Sequence, residues 1–256
     1  MKTLLVVAHP GHELLLWKWL REQRPDVVVL TDGSGSSAMP RLPHTQAVVE
    51  QSGANWSPDV IPAVSDTALY SALMENRVEL FRKWCDALTM HVLEHGVERI
   101  VADQEEGFNP SHDLCRLLAN TAAERAARAG HPVASFEFPS LGHPGPAART
   151  EGGCWITELS SAELQAKVNA LRSYAARSGG VLAQEVEDLL AAHGEQAYAR
   201  ECLFPARPTR YETRAGSADK PQFEVLGEER VARGVYRHVL RATHLQSVAD
   251  ALQEAG

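Results

Sequence analysis

The chain has 256 residues with 44% hydrophobic and 23% charged content, a composition typical of a globular protein that buries a full core. Its formal net charge is −8 without any basic cluster, which argues against a nucleic-acid surface, and no apolar run reaches the roughly 20 residues of a membrane span. The four cysteines are scattered and the first residues do not resemble a signal peptide, so we expect a reduced, cytoplasmic protein without a membrane span.

Short apolar runs in the first half of the chain predict buried strands separated by helices. Strands are predicted over 3–8, 26–32, 59–64, 99–103 and 132–138, and helices over 13–22, 44–53, within 67–96 and over 112–130. A loop rich in Gly, Ser and Pro fills residues 33–43. This alternation predicts an α/β fold: a Rossmann-like, doubly wound, mostly parallel sheet with helices on both faces.

Beyond residue 139 the alternation weakens. Helices are predicted near 160–176 and 181–193, and the remaining segments are mixed. We therefore predict a single domain over 1–256, in which residues 1–140 form the α/β core and residues 141–256 form a C-terminal extension that covers or extends it.

Histidines follow two of the predicted strands. His9 and His12 come after the first strand in "LVVAHPGHE", where Pro10 and Gly11 favour a turn, and His112 opens a helix after a later strand. Sheets of this kind bind ligands at the carboxyl ends of their strands. Three neutral imidazoles with a fourth position open are typical of catalytic zinc. The alternative is that His9 and His12 cap a helix or bond the backbone.

The residues around these histidines resemble a known family. "VVAHPGHE" resembles the "AHPDDE" motif of the LmbE/PIG-L-like deacetylases, zinc-dependent hydrolases of N-acetylated sugars and glycoconjugates. "GFNPSHD" resembles the second motif of that family, roughly G-Y-x-H-P-D-H, and "LTDGS" matches its Thr-x-Gly segment. The resemblance covers about residues 1–140 and implies the same fold.

The resemblance also implies a ligand set. His9 corresponds to the first zinc-binding histidine of the family and His112 to the last, while His12 stands at the position of the ligand aspartate. The implied site therefore has three histidines, and the loss of one negative charge leaves the ion more electrophilic.

Three positions depart from the family pattern. Gly11 stands at the position of the general-base aspartate, so the usual proton acceptor is missing. Asn109 and Ser111 replace the histidine and aspartate associated with the tetrahedral intermediate. Asn109 can still donate a hydrogen bond to an oxyanion.

A substitute base must come from elsewhere in the chain. Asp103, Glu105 and Glu106 lie close before His112, and Asp32 follows the second strand. General-base catalysis requires geometry rather than closeness in sequence. For Asp103 the alternative is a carboxylate that orients a ligand histidine. For Glu105 and Glu106 the alternative is a solvated pair.

The leading hypothesis is a metal-dependent amidohydrolase, with Zn²⁺ or another divalent ion as its cofactor. We expect it to remove an N-acyl group, with acetyl as first choice, from an amino sugar or a related small glycoconjugate. Its partner is thus a small N-acylated molecule and not a nucleic acid, and the oligomeric state stays open. Two alternatives remain: a catalytically altered or inactive metal-binding module of the same fold, and a three-histidine redox metalloenzyme.

Overall fold

A computed structural model of the chain describes residues 1–35, 39–145, 153–213 and 219–254, with only the backbone of residues 180 and 181. Residues 36–38 of the predicted loop over 33–43 therefore lie outside the described part. The strands are β1 (Thr3–Val7), β2 (Asp26–Val29), β3 (Asn55–Trp56), β4 (Arg99–Asp103), β5 (Ala134–Phe138), β6 (Trp155–Glu158) and β7 (Arg200–Pro205). The α-helices are α1 (Trp17–Gln23), α2 (Leu42–Ser52), α3 (Asp66–Met74), α4 (Val78–His95), α5 (Pro110–Arg128), α6 (Ser161–Ser178), α7 (Gly180–His193), α8 (Gln222–Ala232) and α9 (Ala242–Glu254).

In the described part of the chain these strands form one seven-stranded sheet, in the order β3-β2-β1-β4-β5-β7-β6. The first five strands in this order run parallel to one another, while β7 pairs antiparallel with β5 and β6 pairs antiparallel with β7. The chain leaves β1 toward β2 on one side and later returns to β4 on the other. This reversal places a topological switch point between β1 and β4, where such folds bind ligands.

Each face of the sheet is covered by its own apolar layer. Because side chains alternate along a strand, Leu4 and Val6 of β1 point into one layer, and Leu5 and Val7 point into the other. Helices α3, α4, α5 and α9 supply the first layer, and α1, α2, α6 and α7 supply the second. The predicted doubly wound α/β fold is thus confirmed.

The strand predicted over 59–64 is wrong. Pro58 and Pro62 remove backbone donors from this segment, and proline is disfavoured within a sheet for that reason. The strand lies earlier, at β3, and Val64 makes only an isolated bridge with Thr31.

The long helical segment predicted within 67–96 is two helices. Asn76 lies between α3 and α4 with a φ of 53°, a left-handed conformation that asparagine tolerates better than most residues. The helical periodicity continues across this break because both helices bury apolar residues in the same layer.

A buried ion pair within the segment after residue 140 makes hydrogen bonds that join this segment to the core. Nζ of Lys167 lies 2.9 Å from Glu201, and both side chains are 1% exposed. Glu201 also accepts hydrogen bonds from the backbone of Lys18 and Trp19, at 2.9 and 2.7 Å. Lys167 donates to the carbonyl of Leu15 at 2.6 Å. The C-terminal part therefore satisfies backbone groups of the first helical segment.

None of the described helices combines the length and apolar character that crossing a membrane requires.

Candidate metal centre

The three predicted histidines meet at the carboxyl ends of β1 and β4. His9 lies two residues after the end of β1, and Gly11 turns the chain with a φ of 107° into a 3-10 helix that begins at His12. His112 lies in the first turn of α5, whose N-cap is Asn109. Two neighbouring strands thus deliver the histidines to the switch point.

The rings of His9, His12 and His112 lie edge to face. Their centroids are 5.3 Å apart for His9 and His12, 5.2 Å for His9 and His112, and 4.8 Å for His12 and His112. A tetrahedral zinc ion bound by three imidazoles at about 2.1 Å places the ring centroids roughly 5 Å apart. The spacing fits such an ion. As they stand, however, the described residues contain no group of three or more His, Cys, Asp or Glu side chains that could hold a metal.

Asp103 holds the ring of His12. Its Oδ1 lies 2.8 Å from Nδ1 of His12, and its Oδ2 accepts a 2.5 Å bond from the amide of Ala8. Burial alone would raise the pKa of Asp103, but His12 lowers it to about 2. Burial likewise favours neutral His12, and the charge of Asp103 outweighs it, so the pKa of His12 is raised above 6.5. A proton and a metal ion would therefore compete for this ring.

Glu106 holds the ring of His112. Its Oε2 lies 3.1 Å from Nδ1 of His112 and accepts a 3.0 Å bond from the hydroxyl of Ser140. Its Oε1 accepts from the amides of Ser140 and Leu141, at 3.0 and 2.7 Å. The loop after β5 thus fixes the carboxyl group, which in turn orients the imidazole.

His9 is held by a hydroxyl and a carboxylate. Its Nδ1 lies 2.9 Å from Oγ1 of Thr31 and 3.0 Å from Oδ1 of Asp66. Because the Thr31 hydroxyl donates to the carbonyl of Ala8, it accepts from the Nδ1–H of His9. Burial lowers the pKa of His9 from 6.5 to about 4, although the neighbouring Asp66 acts in the opposite direction. Burial would raise the pKa of Asp66, but the hydrogen bond and charge of His9 outweigh it and lower that pKa to about 2. His9 is therefore neutral at pH 7, the form that binds metals.

In all three rings Nδ1 is engaged by an acceptor, so the lone pair of each neutral ring lies on Nε2. A histidine whose Nδ1–H is bonded to a carboxylate and whose Nε2 is left for an ion is the usual arrangement around protein-bound zinc.

Asn109 faces this cluster with a hydrogen-bond donor. Its Oδ1 accepts from the amide of Ser111 at 2.9 Å, as expected of a helix N-cap, and from the hydroxyl of Tyr70 at 3.2 Å. These two bonds orient its Nδ2 toward Nε2 of His9, at 3.1 Å. Because the proton of His9 lies on Nδ1, this amide donates to Nε2 of His9 as the structure stands. A group bound among the histidines would become the acceptor once that bond is exchanged.

Position 11, which carries the main departure from the family motif, is closed by Tyr174 of α6. A Cβ added at Gly11 would lie 2.9 Å from a ring carbon of Tyr174. The amide of Gly11 donates to the buried carboxyl of Glu13 at 2.8 Å, and burial raises the pKa of Glu13. Position 11 therefore supplies no carboxylate that could act as the general base.

Glu105 is turned to a different partner. It forms an ion pair with the guanidinium of Arg210 and accepts from the Arg210 amide at 2.9 Å. Asp113 anchors the same loop by accepting from the amides of Glu106 and Gly107, both at 3.0 Å, and from the hydroxyl of Tyr211 at 2.9 Å. Despite these bonds, burial raises the pKa of Asp113 to about 6.

The structure therefore brings together His9, His12, His112, Asp103, Glu106 and Asn109, and it directs Glu105 to Arg210. Sequence reasoning missed the contributions of Asp66, Ser140 and Tyr174. Asp66 follows Ser65 at the start of α3, where an acidic residue is expected merely as part of a helix N-terminus. Ser140 and Tyr174 lie in segments without any motif, so nothing in the sequence connects them to the histidines.

No family model matches the chain, and no curated protein matches it in sequence. Several solved structures share its fold. The conserved protein TT1542 from Thermus thermophilus matches with a TM-score of 0.50 and 18% identity, over 81% of this chain and 95% of that protein. The A40926 pseudoaglycone deacetylase Dbv21 matches with a TM-score of 0.53 and 13% identity, over 81% of this chain and 98% of that protein. A triple mutant of a deacetylase of the teicoplanin biosynthetic pathway matches with a TM-score of 0.51 and 15% identity, over 81% of this chain and 98% of that protein.

Proposed function

We propose that the chain is a metal-dependent deacylase, with zinc as the expected ion and His9, His12 and His112 as its ligands. The observation that carries the proposal is that each of these rings commits Nδ1 to a neighbouring acceptor while the three rings converge at about 5 Å. The deacetylases that share the fold support acyl transfer to water as the reaction.

The chain's own residues have distinct roles in this proposal. Asp66, Asp103 and Glu106 keep the Nδ1 proton of their histidines and orient the rings. The chemistry that a zinc ion supplies in such a site is Lewis acidity, which acidifies water and polarises a carbonyl group.

Asn109 donates through Nδ2 to the oxygen of the acyl group as negative charge develops on it. Two bonds to its Oδ1 fix the amide, and its Nδ2 would exchange the contact with Nε2 of His9 for one with the acyl oxygen. Such a donor is worth about 3–4 kcal/mol in other enzymes. Glu105 has no proton-transfer role in this proposal because Arg210 occupies its carboxylate.

The substrate in this proposal is a small N-acylated molecule, with an N-acetylated amino sugar or glycoconjugate as first choice. The motif resemblance over residues 1–140 supports this class. Dbv21 is named for the pseudoaglycone that it deacetylates.

Metal content tests the centre. Native protein purified with Zn²⁺ should hold about one equivalent, since one three-histidine site binds one ion. The His9→Ala/His112→Ala double variant should lose it. Native protein that holds under about a tenth of an equivalent, with no further loss in the variant, would overturn the centre.

A second candidate function is a metal-binding module without hydrolytic activity. The observation that favours it is the closed position 11, where Tyr174 excludes a side chain. A panel of N-acetylated and longer N-acyl amino sugars, assayed for released amine, separates the two. Release that disappears in the double variant supports the deacylase, and silence across the panel with metal bound supports the module.

A further inference from the structure

The turn between His9 and His12 is packed against an aromatic ring from the C-terminal part of the chain. A Cβ built at Gly11 would lie 2.9 Å from Cε1, 3.3 Å from Cζ and 3.4 Å from the hydroxyl oxygen of Tyr174. Real Cβ atoms do not approach other atoms as closely as 2.9 Å. The ring therefore occupies space that a side chain at position 11 would need, and its contact with the turn exists only because residue 11 is glycine.

The ring itself is held firmly. Tyr174 is 2% exposed, and its hydroxyl lies 3.0 Å from Oγ1 of Thr45 on α2. Burial raises the pKa of Tyr174, which keeps the hydroxyl protonated and able to donate. Two helices on the same face of the sheet thus fix the side chain that touches the turn.

The backbone bonds of Gly11 tie it to its own segment. The amide of Gly11 bonds Glu13 at 2.8 Å, and the amide of Leu14 bonds the carbonyl of Gly11 at 3.1 Å. Both bonds are local, within three residues of Gly11. The rings of His9 and His12 are tied to distant residues by Thr31, Asp66 and Asp103, and Tyr174 is the contact that packs against the backbone between the two rings. It therefore bears on the angle at which His9 and His12 meet.

We propose that Tyr174 is a positioning residue of the candidate metal centre, with its ring replacing the missing side chain at position 11 and setting the geometry of His9 and His12. This role rests on the proposed metal centre. It predicts that positions 11 and 174, which are far apart in the chain, cannot both carry a large side chain.

The test is a double-mutant cycle read out as Zn²⁺ affinity of the full-length protein by competition with a chelating dye. Tyr174→Ala should weaken Zn²⁺ binding by about 10- to 100-fold, the range for losing a residue that orients a ligand. Gly11→Asp should also weaken it, because the added side chain meets the ring and glycine is favoured at a φ of 107°. Adding Tyr174→Ala to Gly11→Asp should then tighten binding, the opposite of its effect in the native chain.

Tyr198→Ala is the matched control, since Tyr198 is a buried tyrosine (3% exposed) in the same apolar layer. It should lower the melting temperature and leave Zn²⁺ affinity and the absorption spectrum of the Co²⁺-substituted protein unchanged. Tyr174→Phe should retain affinity close to native, because it keeps the ring. If Tyr174→Ala does not fold, Tyr174→Leu replaces it in the cycle.

Three results would each overturn the positioning role while leaving the metal centre in place. They are native-like Zn²⁺ affinity in Tyr174→Ala, equal losses of affinity in Tyr174→Ala and Tyr198→Ala, and additive losses in the double variant. A native chain that takes up no Zn²⁺ would overturn both.

Discussion

The two ends of the sheet both carry histidines paired with carboxylates, but they use different ring nitrogens. At the amino end, Nε2 of His91 lies 2.9 Å from Asp26, and the ring of His95 stacks on His91 with centroids 4.2 Å apart. At the carboxyl end, His9, His12 and His112 each engage Nδ1, and the rings stand edge to face.

This difference shows why a histidine–carboxylate pair is not by itself a sign of function. At the amino end the pair uses Nε2, and the stacked rings of His91 and His95 present faces to each other. The pair thus connects α4 to β2 as a structural contact. At the carboxyl end the carboxylates engage Nδ1, so the lone pair of each neutral ring lies on Nε2, the atom that a metal would bind; in His9 this atom accepts a hydrogen bond from Asn109.

The largest effect should be a contrast in metal content between the two ends. A His91→Ala/His95→Ala variant removes as many imidazoles as His9→Ala/His112→Ala, and we expect it to keep the full native content of Zn²⁺. Elemental analysis of the two purified variants measures this directly. Equal loss of metal from both would mean that the amino-end pair also binds the ion, and the distinction drawn from ring nitrogens would be wrong.

A smaller contrast should appear when only the carboxylates are changed. Asp103→Asn removes the charge that holds the Nδ1 proton of His12, so Zn²⁺ affinity should fall by about 10- to 100-fold. The matched change Asp26→Asn should leave the affinity within error of native. Isothermal titration with Zn²⁺ measures both, and unchanged affinity in Asp103→Asn would show that Asp103 does not orient the ring.

The smallest expected effect is on the free energy of unfolding, through the pair at the amino end of the sheet. The bond from His91 lowers the pKa of Asp26 below its usual 3.8, against the effect of burial. A carboxylate whose pKa is lower in the folded chain stabilises it above the unfolded value, and this contribution is lost as the pH falls through the folded value. Asp26→Asn should therefore cost about 1 kcal/mol at pH 7 and progressively less below about pH 4. Urea unfolding at neutral pH and at about pH 3 tests it, and an equal cost at both would assign the effect to packing.

Much of the parallel sheet could be predicted because its strands are buried on both faces. The runs over 4–7 and 27–29 are apolar at every position, and β1, β2 and β4 lie where such runs predict them. Strand β5 also lies within its predicted range, although its first three positions are exposed or half-buried. The strands β6 and β7 were not predicted. Strand β6 has one buried position, Thr157, so no apolar run marks it. Strand β7 is buried over four positions, but its apolar run is only three residues long (202–204) and follows Arg200 and Glu201.

The residues of the candidate site likewise fall into those that the sequence predicts and those that it does not. His9, His12 and His112 could be found because each follows or opens an element at the carboxyl edge, where chain order alone brings them together. Asp66 and Tyr174 could not, because their contacts with the site depend on how α3 and α6 pack. The role of each histidine as a ligand stays a prediction until metal binding is measured.

The buried pair of Lys167 and Glu201 has a consequence for cooperativity of unfolding. If the chain were cut near residue 140, the backbone amides of Lys18 and Trp19 and the carbonyl of Leu15 would lose their partners inside the protein. The ion pair itself would survive this cut, because both of its members lie after residue 140. The three lost bonds are made to charged groups, and each such bond contributes about 1.5–3 kcal/mol, a large share of the roughly 5–15 kcal/mol that holds a protein folded. These bonds couple the segment that carries Tyr174 to the segment that carries His9 and His12, and we expect both to melt in one transition.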